Sequence, residues 1–426
     1  MRSIVRLWLP LAISYEMMMM EGPTVQAAMG RLPAAQLNLA AFGLAFSLSL
    51  LVESPVIMML PTTIALVSDK QSWEAMRRFT LSLCAFCTAL TALVAFTPLF
   101  GFIAQRLMGQ PVAIVSAAQP VMRIMLFWSA VICWRRFCQG TLVKHGITRY
   151  ISVGTAIRIL TTIAVAGALV VSRRLPGAEV GGCAVVAAVT VEAFVITLFA
   201  WPVIRDDIPH AHASAAPLTQ RAIIKFHAPL AATTVLNLLG LPLTAAALGR
   251  LAHSTVTLAA WPVVAGMMLV VRGWGIALQE ISVAVAPDPD RRPDLRRFAW
   301  LVAWISFGGA AVFLFSPLVQ LYLVHVVHVP LAVLPYAKTG AYACILLPVI
   351  TAVDAWRRGM HMAVHRSRTI YQGMAVSVVA QIAVLVLGVA VRAPGMLLAA
   401  AAFTSAIAAE YLYLTWRWQV YEMESL

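Results

Sequence analysis

The chain alternates between long apolar runs and short polar breaks from one end to the other. Each run has about twenty residues or more, enough to cross a bilayer core of about 30 Å as a helix. Reading the runs against their Gly, Pro and charged breaks gives twelve spans, near residues 5–28, 36–67, 79–104, 117–141, 150–172, 178–204, 222–248, 255–286, 298–324, 331–356, 369–391 and 394–416. The second and eighth runs are long enough for either a tilted or a kinked helix, and Pro61 marks where the second would bend. A membrane β-barrel would show short alternating segments instead. The predicted fold class is therefore an all-α polytopic membrane protein.

Composition strengthens this reading. Of 426 residues, 61 % are hydrophobic and 11 % charged, with a mean hydropathy of +0.86; soluble domains carry about 25 % charged residues. The net charge of +14 sits in short breaks between apolar runs, not in a basic domain with interleaved aromatics, so no nucleic-acid partner is expected. The start "MRSIVRLWLPLAISYE" joins a basic flank to an apolar helix without a small-residue cleavage site, and reads as a retained first span. With the N-terminus inside, 21 Lys and Arg fall on inner segments and seven on outer ones. That bias places both termini in the cytoplasm, at an inner or other helical membrane.

The second half of the chain repeats the first. At an offset of 219 residues, Pro10-Leu11-Ala12 falls on Pro229-Leu230-Ala231, Pro23 on Pro242, Gly30-Arg31-Leu32 on Gly249-Arg250-Leu251, and Arg77-Arg78-Phe79 on Arg296-Arg297-Phe298. At an offset of 222, Trp134-Arg135-Arg136 falls on Trp356-Arg357-Arg358. The expected organisation is an N-terminal six-helix bundle over 1–204, a cytoplasmic linker over 205–221 ("RDDIPHAHASAAPLTQR") and a C-terminal six-helix bundle over 222–426. Six spans bring both halves into the membrane from the same side, a parallel repeat of the kind alternating-access transporters use.

The segment "LPLAISYEMMMMEGPTVQAAMGRL" at 9–32, followed by "FGLAFSLSLLVESPVIMML", resembles the start of the multidrug/oligosaccharidyl-lipid/polysaccharide (MOP) exporter superfamily, which includes the multidrug and toxic compound extrusion (MATE) transporters. Further segments, "GTLVKHGITRYISVG" at 140–154, "KFHAPLA" at 225–231, "RGWGIALQEISVAVAP" at 272–287 and "LLPVITAVDAWRRG" at 346–359, are most similar to the progressive ankylosis protein family. The resemblance implies two pseudo-symmetric, MATE-like bundles that rock to export a solute. For ankylosis-type members it implies organic anions such as citrate, or phosphorylated metabolites such as pyrophosphate or ATP. Two departures matter. The Glu that closely follows Gly-Trp in that family is here Glu280, six residues after Trp274. The first-span Asp of many extrusion transporters aligns with Val25, and the nearest acids are Glu16 and Glu21.

Seven acids fall in or near spans, Glu16, Glu21, Glu53, Glu192, Glu280, Asp354 and Glu410, together with Arg123, Arg158 and Arg272. Each costs about 2.5–3.5 kcal/mol at a helix centre unless it faces a bundle interior or a wet cavity. Asp354 and Glu410 lie near inner helix ends, and Arg123 opens the fourth span, so these three are placed to snorkel. Glu53, deep in "LLVESPVIMML", maps onto Arg272 at the 219-residue offset. The expectation is that the two face a central cleft, either as a gating pair or with Arg272 holding an anionic substrate and Glu53 a coupling H⁺ or Na⁺; a static structural pair is the plainer alternative. Glu21 stands beside the mid-span Gly22-Pro23, where a bent helix frees carbonyls that, with the carboxylate, suit a cation; the alternative is a Glu satisfied by neighbouring helices. Pro23 and Pro242 are gate candidates. Arg158 either lines the floor of the cleft or reaches out to headgroups. The substrate- or ion-binding candidates are thus Glu21, Glu53, Arg158, Arg272 and Glu280.

Other groups read as packing or polarity. Cys84 and Cys87 lie inside an apolar run and are small core residues, not a redox pair. His361 and His365 share a helix face, but no acid or cysteine completes a metal set, and contact with lipid headgroups or plain loop polarity fits them better; His325 and His328 read the same way. Met17 to Met20 suit packing or a promiscuous apolar wall. The one close acid cluster, "PDPDRRPD", sits among arginines, and no GxSxG, HExxH or P-loop occurs, which argues against a membrane transferase and an in-chain ATP motor. The expectation is a transporter and not an enzyme, exporting a small organic solute with a lean to anions. No resident cofactor is expected beyond Na⁺ or H⁺ as coupling ion. A cationic multidrug antiporter and a lipid-linked oligosaccharide flippase are the rivals within the superfamily.

Overall fold

The computed structural model describes residues 2–147, 149–208, 218–364 and 366–424. Among these the secondary structure is helical, and twelve helical spans follow in chain order. Ten helices are long and apolar enough to cross a membrane, and an eleventh span is the pair Leu334–Ala343 and Leu347–Ala363, bent by 45°. The twelfth is the first in sequence, built of Arg2–Met19 and Glu21–Gly30. Large apolar side chains cover the outside: Val171 is 84 % exposed and Phe86 59 %. Water would not tolerate such a surface, and the chain is an integral multi-pass membrane protein.

The repeat seen in sequence recurs as geometry. The second span is Ala35–Ile57 and Met59–Leu66; the eighth is Ser254–Ile276 and Leu278–Val285. The breaks at Met58 and Ala277 stand at the same 219-residue offset, so both long runs are kinked rather than straight. The third span, Lys70–Phe96, and the ninth, Arg292–Phe315, end in step. Each is followed by a hydroxyl residue and a proline: Leu99 N–H donates to Thr97 Oγ1 (3.2 Å) and Leu318 N–H to Ser316 Oγ (3.3 Å). A widened π turn then follows in each half, Phe102–Leu107 and Tyr322–Val326. The ninth span therefore stops at Phe315, short of the expected 324, because Pro317 ends the run of helix hydrogen bonds.

Prolines make two of the breaks by one device. Pro23 and Pro61 have no N–H to give the residue four positions back. In each case the threonine that follows donates twice to the carbonyl at the break, Thr24 its N–H (3.1 Å) and hydroxyl (2.8 Å) to Met20 O, and Thr62 the same to Met58 O (3.1 and 2.7 Å). The eighth span reaches its matching break without a proline. Glu280 stands where Pro61 does, and the nearby glycines Gly273 and Gly275 loosen the helix instead. Pro242 lies inside an unbroken helix, Gln220–Gly249, so only one of the two gate candidates coincides with a break.

Small residues let the spans approach closely, as membrane helices without a hydrophobic drive between them require. Gly140, in the helix Trp128–Lys144, lies against Leu60 O and Thr63; Gly359, in Leu347–Ala363, lies against Gln279 O and Ser282. These are the same contact at the same offset in the two halves.

The chain divides into two compact units that follow its halves only in part. One comprises Met1–Ala40, Met108–Pro111 and Gly240–Leu426; the other comprises Ala41–Leu107 and Val112–Leu239. The first span is thus packed with the C-terminal elements, and the first two-thirds of the seventh span with the N-terminal ones. Most of the expected linker, 209–217, lies outside the described residues.

Candidate functional site

In the unit that holds both chain ends, the first span lies along the eighth. Trp8 Nε1 donates to Trp274 O (3.2 Å), and the two indoles sit 5.6 Å apart. Further along, Gln26 Nε2 donates to Pro262 O (2.8 Å). Between these fixed points come Tyr15 and Glu16. The Tyr15 hydroxyl donates to Glu280 Oε1 (2.6 Å). The Glu16 carboxylate lies over Gly273, in the space where any β-carbon would sit, with the Trp274 N–H in hydrogen-bonding reach. Glu16 Oε1 is buried without a hydrogen-bond partner. An acid at this depth with one unmet oxygen is a costly arrangement for structure alone.

The eighth and tenth spans pack closely, Gly275 against Ala352. That approach brings Arg272 to Thr351, where Nε donates to Oγ1 at 2.7 Å. Arg272 also lies in the electrostatic field of Asp354. Asp354 meets Arg358 at 3.0 Å, and Arg358 meets Glu410 at 2.6 Å. Asp354 and Glu410 are 4 % and 1 % exposed. They do not snorkel, because both pair with Arg358 inside the helix packing.

The other unit carries its own buried charges. Arg135 Nη1 binds Glu192 Oε2 at 2.6 Å, with Arg158 Nη1 at 3.6 Å from the same oxygen. Gln139 Nε2 reaches Glu192 Oε1 (3.4 Å). Arg135 is 5 % exposed, inside the helix Trp128–Lys144. Glu53 is buried too, within the field of Arg136 and near Cys87. In the same unit Thr62 Oγ1 is 2.9 Å from His227 Nδ1, beside the break at Met58.

The sequence-predicted residues separate accordingly. Glu280 joins Tyr15 at the first-span site. Glu21 stands in the first turn of Glu21–Gly30, half-buried, one residue past the break. Arg158 faces Glu192, which places it in the packing. Glu53 and Arg272 each have counter-groups within their own units. Arg123 hydrogen-bonds Ala95 O (3.3 Å) and lies over Phe96, as an arginine reaching outward would. His365 lies outside the described residues. Sequence reading passed over Tyr15, Gly273 and Thr351, whose roles depend on which helix faces which. Glu16 was visible as a span acid, but its neighbour was not.

No family model matches the sequence, and no curated protein matches it. Solved structures do match the fold. The chain superposes on an inward-facing conformation of a multidrug resistance MATE family transporter of the MOP superfamily with a TM-score of 0.74 and 12 % identity, covering 99 % of both chains. A MOP superfamily transporter from Pyrococcus furiosus, described as having a binding pocket whose reversed polarity suggests a different function, gives 0.69 at 12 % identity, over 98 % of this chain and 96 % of that one. A MATE structure in complex with MaL6 gives 0.65 at 13 % identity, over 99 % and 97 %.

Proposed function

With the fold of MATE transporters along its whole length, the chain is, we propose, a secondary transporter that exports a small organic solute by alternating access. The observation that carries the coupling half of this reading is the Glu16 carboxylate, held over Gly273 with one oxygen unmet, at the break in the first span. Its neighbours are an N–H donor and a helix backbone, a setting that suits gain and loss of a proton better than a caged cation. We assign the proton to Glu16, with the Tyr15–Glu280 hydrogen bond tying the first span to the eighth in one conformation.

For substrate the reading leans to organic anions, on the strength of Arg272 and the resemblance to the ankylosis family. Arg272 presents Nε to Thr351, leaving the guanidinium terminus to pair with a carboxylate or phosphate. A cationic drug is the second reading, favoured by the multidrug transporters that share the fold and by the acids Glu16 and Glu280.

The test is thermal unfolding of the purified protein with citrate, pyrophosphate and ATP beside organic cations, with and without Na⁺, at two pH values. A ligand that binds only the folded state stabilises it by about 2.7 kcal/mol at a hundred times its Kd. Stabilisation by anions that disappears in Arg272→Ala supports the anion reading; stabilisation by cations that disappears in Glu16→Gln moves the protein to the multidrug side. In proteoliposomes, substrate-driven proton movement that persists in Glu16→Gln removes Glu16 from the coupling.

A further inference from the structure

In the unit without the chain ends, one buried histidine touches the break in the second span. His227, near the start of the helix Gln220–Gly249, is 4 % exposed. Its Nδ1 lies 2.9 Å from Thr62 Oγ1, and its ring meets Phe79 of the third span edge-on at 5.2 Å. Its Nε2 is buried without a hydrogen-bond partner.

The hydrogen bonds around Thr62 fix which ring nitrogen carries the hydrogen. A hydroxyl has one hydrogen to give, and Thr62 gives its own to Met58 O at 2.7 Å. Thr62 Oγ1 is therefore the acceptor and His227 Nδ1–H the donor. The neutral ring then presents a bare lone pair at Nε2, buried and met by no donor. A buried acceptor left unmet is costly, and on an imidazole it is a place for a proton.

Thr62 lies seven residues after Pro55, two helical turns, so both stand on the same side of the second span. The Pro55 carbonyl is accordingly the group of that span that acts on the ring beside Thr62. The break at Met58 lies between them. Charged groups on the surrounding elements are turned away or occupied. Arg221 and Lys225 of the seventh span and Arg78 of the third are exposed, Arg77 lies 5.5 Å from the Trp73 ring, and Glu53 of the second span lies in the field of Arg136. The imidazole thus faces one acceptor on each side of the break, and as a neutral ring it has a hydrogen for only one of them.

We propose that His227 takes a proton at Nε2 and that the resulting imidazolium ties Pro55 to Thr62 across the break at Met58. The uptake forms one N–H bond, with the proton coming from water, and breaks no covalent bond in the protein. The neutral ring holds the second span on one side of its break; the protonated ring donates on both sides, and the bend stiffens. Glu16, in the other unit, is a separate site, and neither measurement below depends on transport.

The test labels the ring nitrogens of histidine in the full chain, in detergent, and follows them by NMR as pH falls. His227→Gln removes one residue's signals and so identifies them. They should show Nδ1–H with a bare Nε2 at about pH 8 and convert to the imidazolium by about pH 5, the range open to histidine. Thr62→Val removes the acceptor and should cost the ring its Nδ1–H form, which Thr62→Ser should keep. Amide exchange around Met58, corrected for the intrinsic effect of pH, should slow about threefold or more over the same range in the wild type and stay level in His227→Gln. Should His227→Gln not fold, the response to Thr62→Val identifies the signals, and tautomer and titration decide the matter. A ring that stays neutral at about pH 5, or that carries its hydrogen on Nε2 at about pH 8, overturns the site. Exchange at the break with the same pH response in wild type and His227→Gln overturns the tie.

Discussion

The Glu16 carboxylate occupies the space above Gly273 that a methyl group would fill. The contact sets a limit on both residues. Glu16 reaches the backbone of the eighth span only because position 273 has no side chain, and Gly273 weakens its helix by about 0.5–1 kcal/mol relative to alanine. In Gly273→Ala the clash is with the end of a flexible side chain, so Glu16 swings away at small cost. Stability should change by less than about 1 kcal/mol, since the gain in helix propensity offsets the displacement. Proton-coupled transport should fall at least tenfold, as measured in proteoliposomes beside unfolding of the same preparation. Unchanged coupling with normal stability would show that the carboxylate does not need this seat.

Gly140 and Gly359 make the opposite prediction. A β-carbon there meets the Leu60 or Gln279 carbonyl, and backbone cannot swing aside. Gly140→Ala and Gly359→Ala should each destabilise by about 1–3 kcal/mol, the range for overpacking. The two effects should be similar, because the contact is the same in both halves. Unfolding in denaturant that shows either variant as stable as the wild type contradicts the close approach.

Arg358 serves two acids, and this makes its loss asymmetric. Arg358→Ala leaves Asp354 and Glu410 both uncompensated and should cost about 3–5 kcal/mol, the range for breaking a buried pair. Glu410→Gln leaves Arg358 its 3.0 Å contact with Asp354 and should cost clearly less. Equal losses in the two variants would mean that the three charges do not act as a network.

Asp69 offers a pH dependence outside the spans. It caps the third span: Ser72 N–H donates to Asp69 Oδ1 (2.8 Å) and Asp69 N–H to Ser72 Oγ (2.9 Å). The Ser72 backbone N–H holds the carboxyl below its usual range. A lowered pKa stabilises the fold above the unfolded value of about 3.9, and that contribution is lost as pH falls through the folded value. Asp69→Ala should cost about 1 kcal/mol near neutral pH. Asp69→Asn keeps a cap and should remove this residue's share of the fall in unfolding midpoint between pH 5 and pH 3. An Asn variant with the full wild-type acid dependence would assign that fall to other groups.

Much of the architecture was readable from local pattern. Apolar run length located the spans, since a bilayer demands about twenty residues whatever the neighbours are. The 219-residue offset found in a handful of prolines, glycines and arginines also locates the helix breaks at Met58 and Ala277 and the widened turns after Phe96 and Phe315. Those features depend on residues close in sequence, so a repeat in one dimension carries them.

Partner choice was not readable. The offset aligned Glu53 with Arg272, yet Arg272 bonds Thr351 and Glu53 lies in the field of Arg136, residues supplied by the tenth and fourth spans. Asp354 and Glu410 looked free to snorkel until Arg358 was seen between them. A helix apolar on all sides gives no sign of which face turns inward, because lipid solvates each face about equally well. That face is set by close contacts such as Gly140 on Leu60 and Gly275 on Ala352, which exist only once the helices have packed. The sequence by itself determined that the chain is a series of membrane-length helices and that its halves repeat; the tertiary structure decided where the helices break and which charges meet, and so where Glu16 finds Gly273.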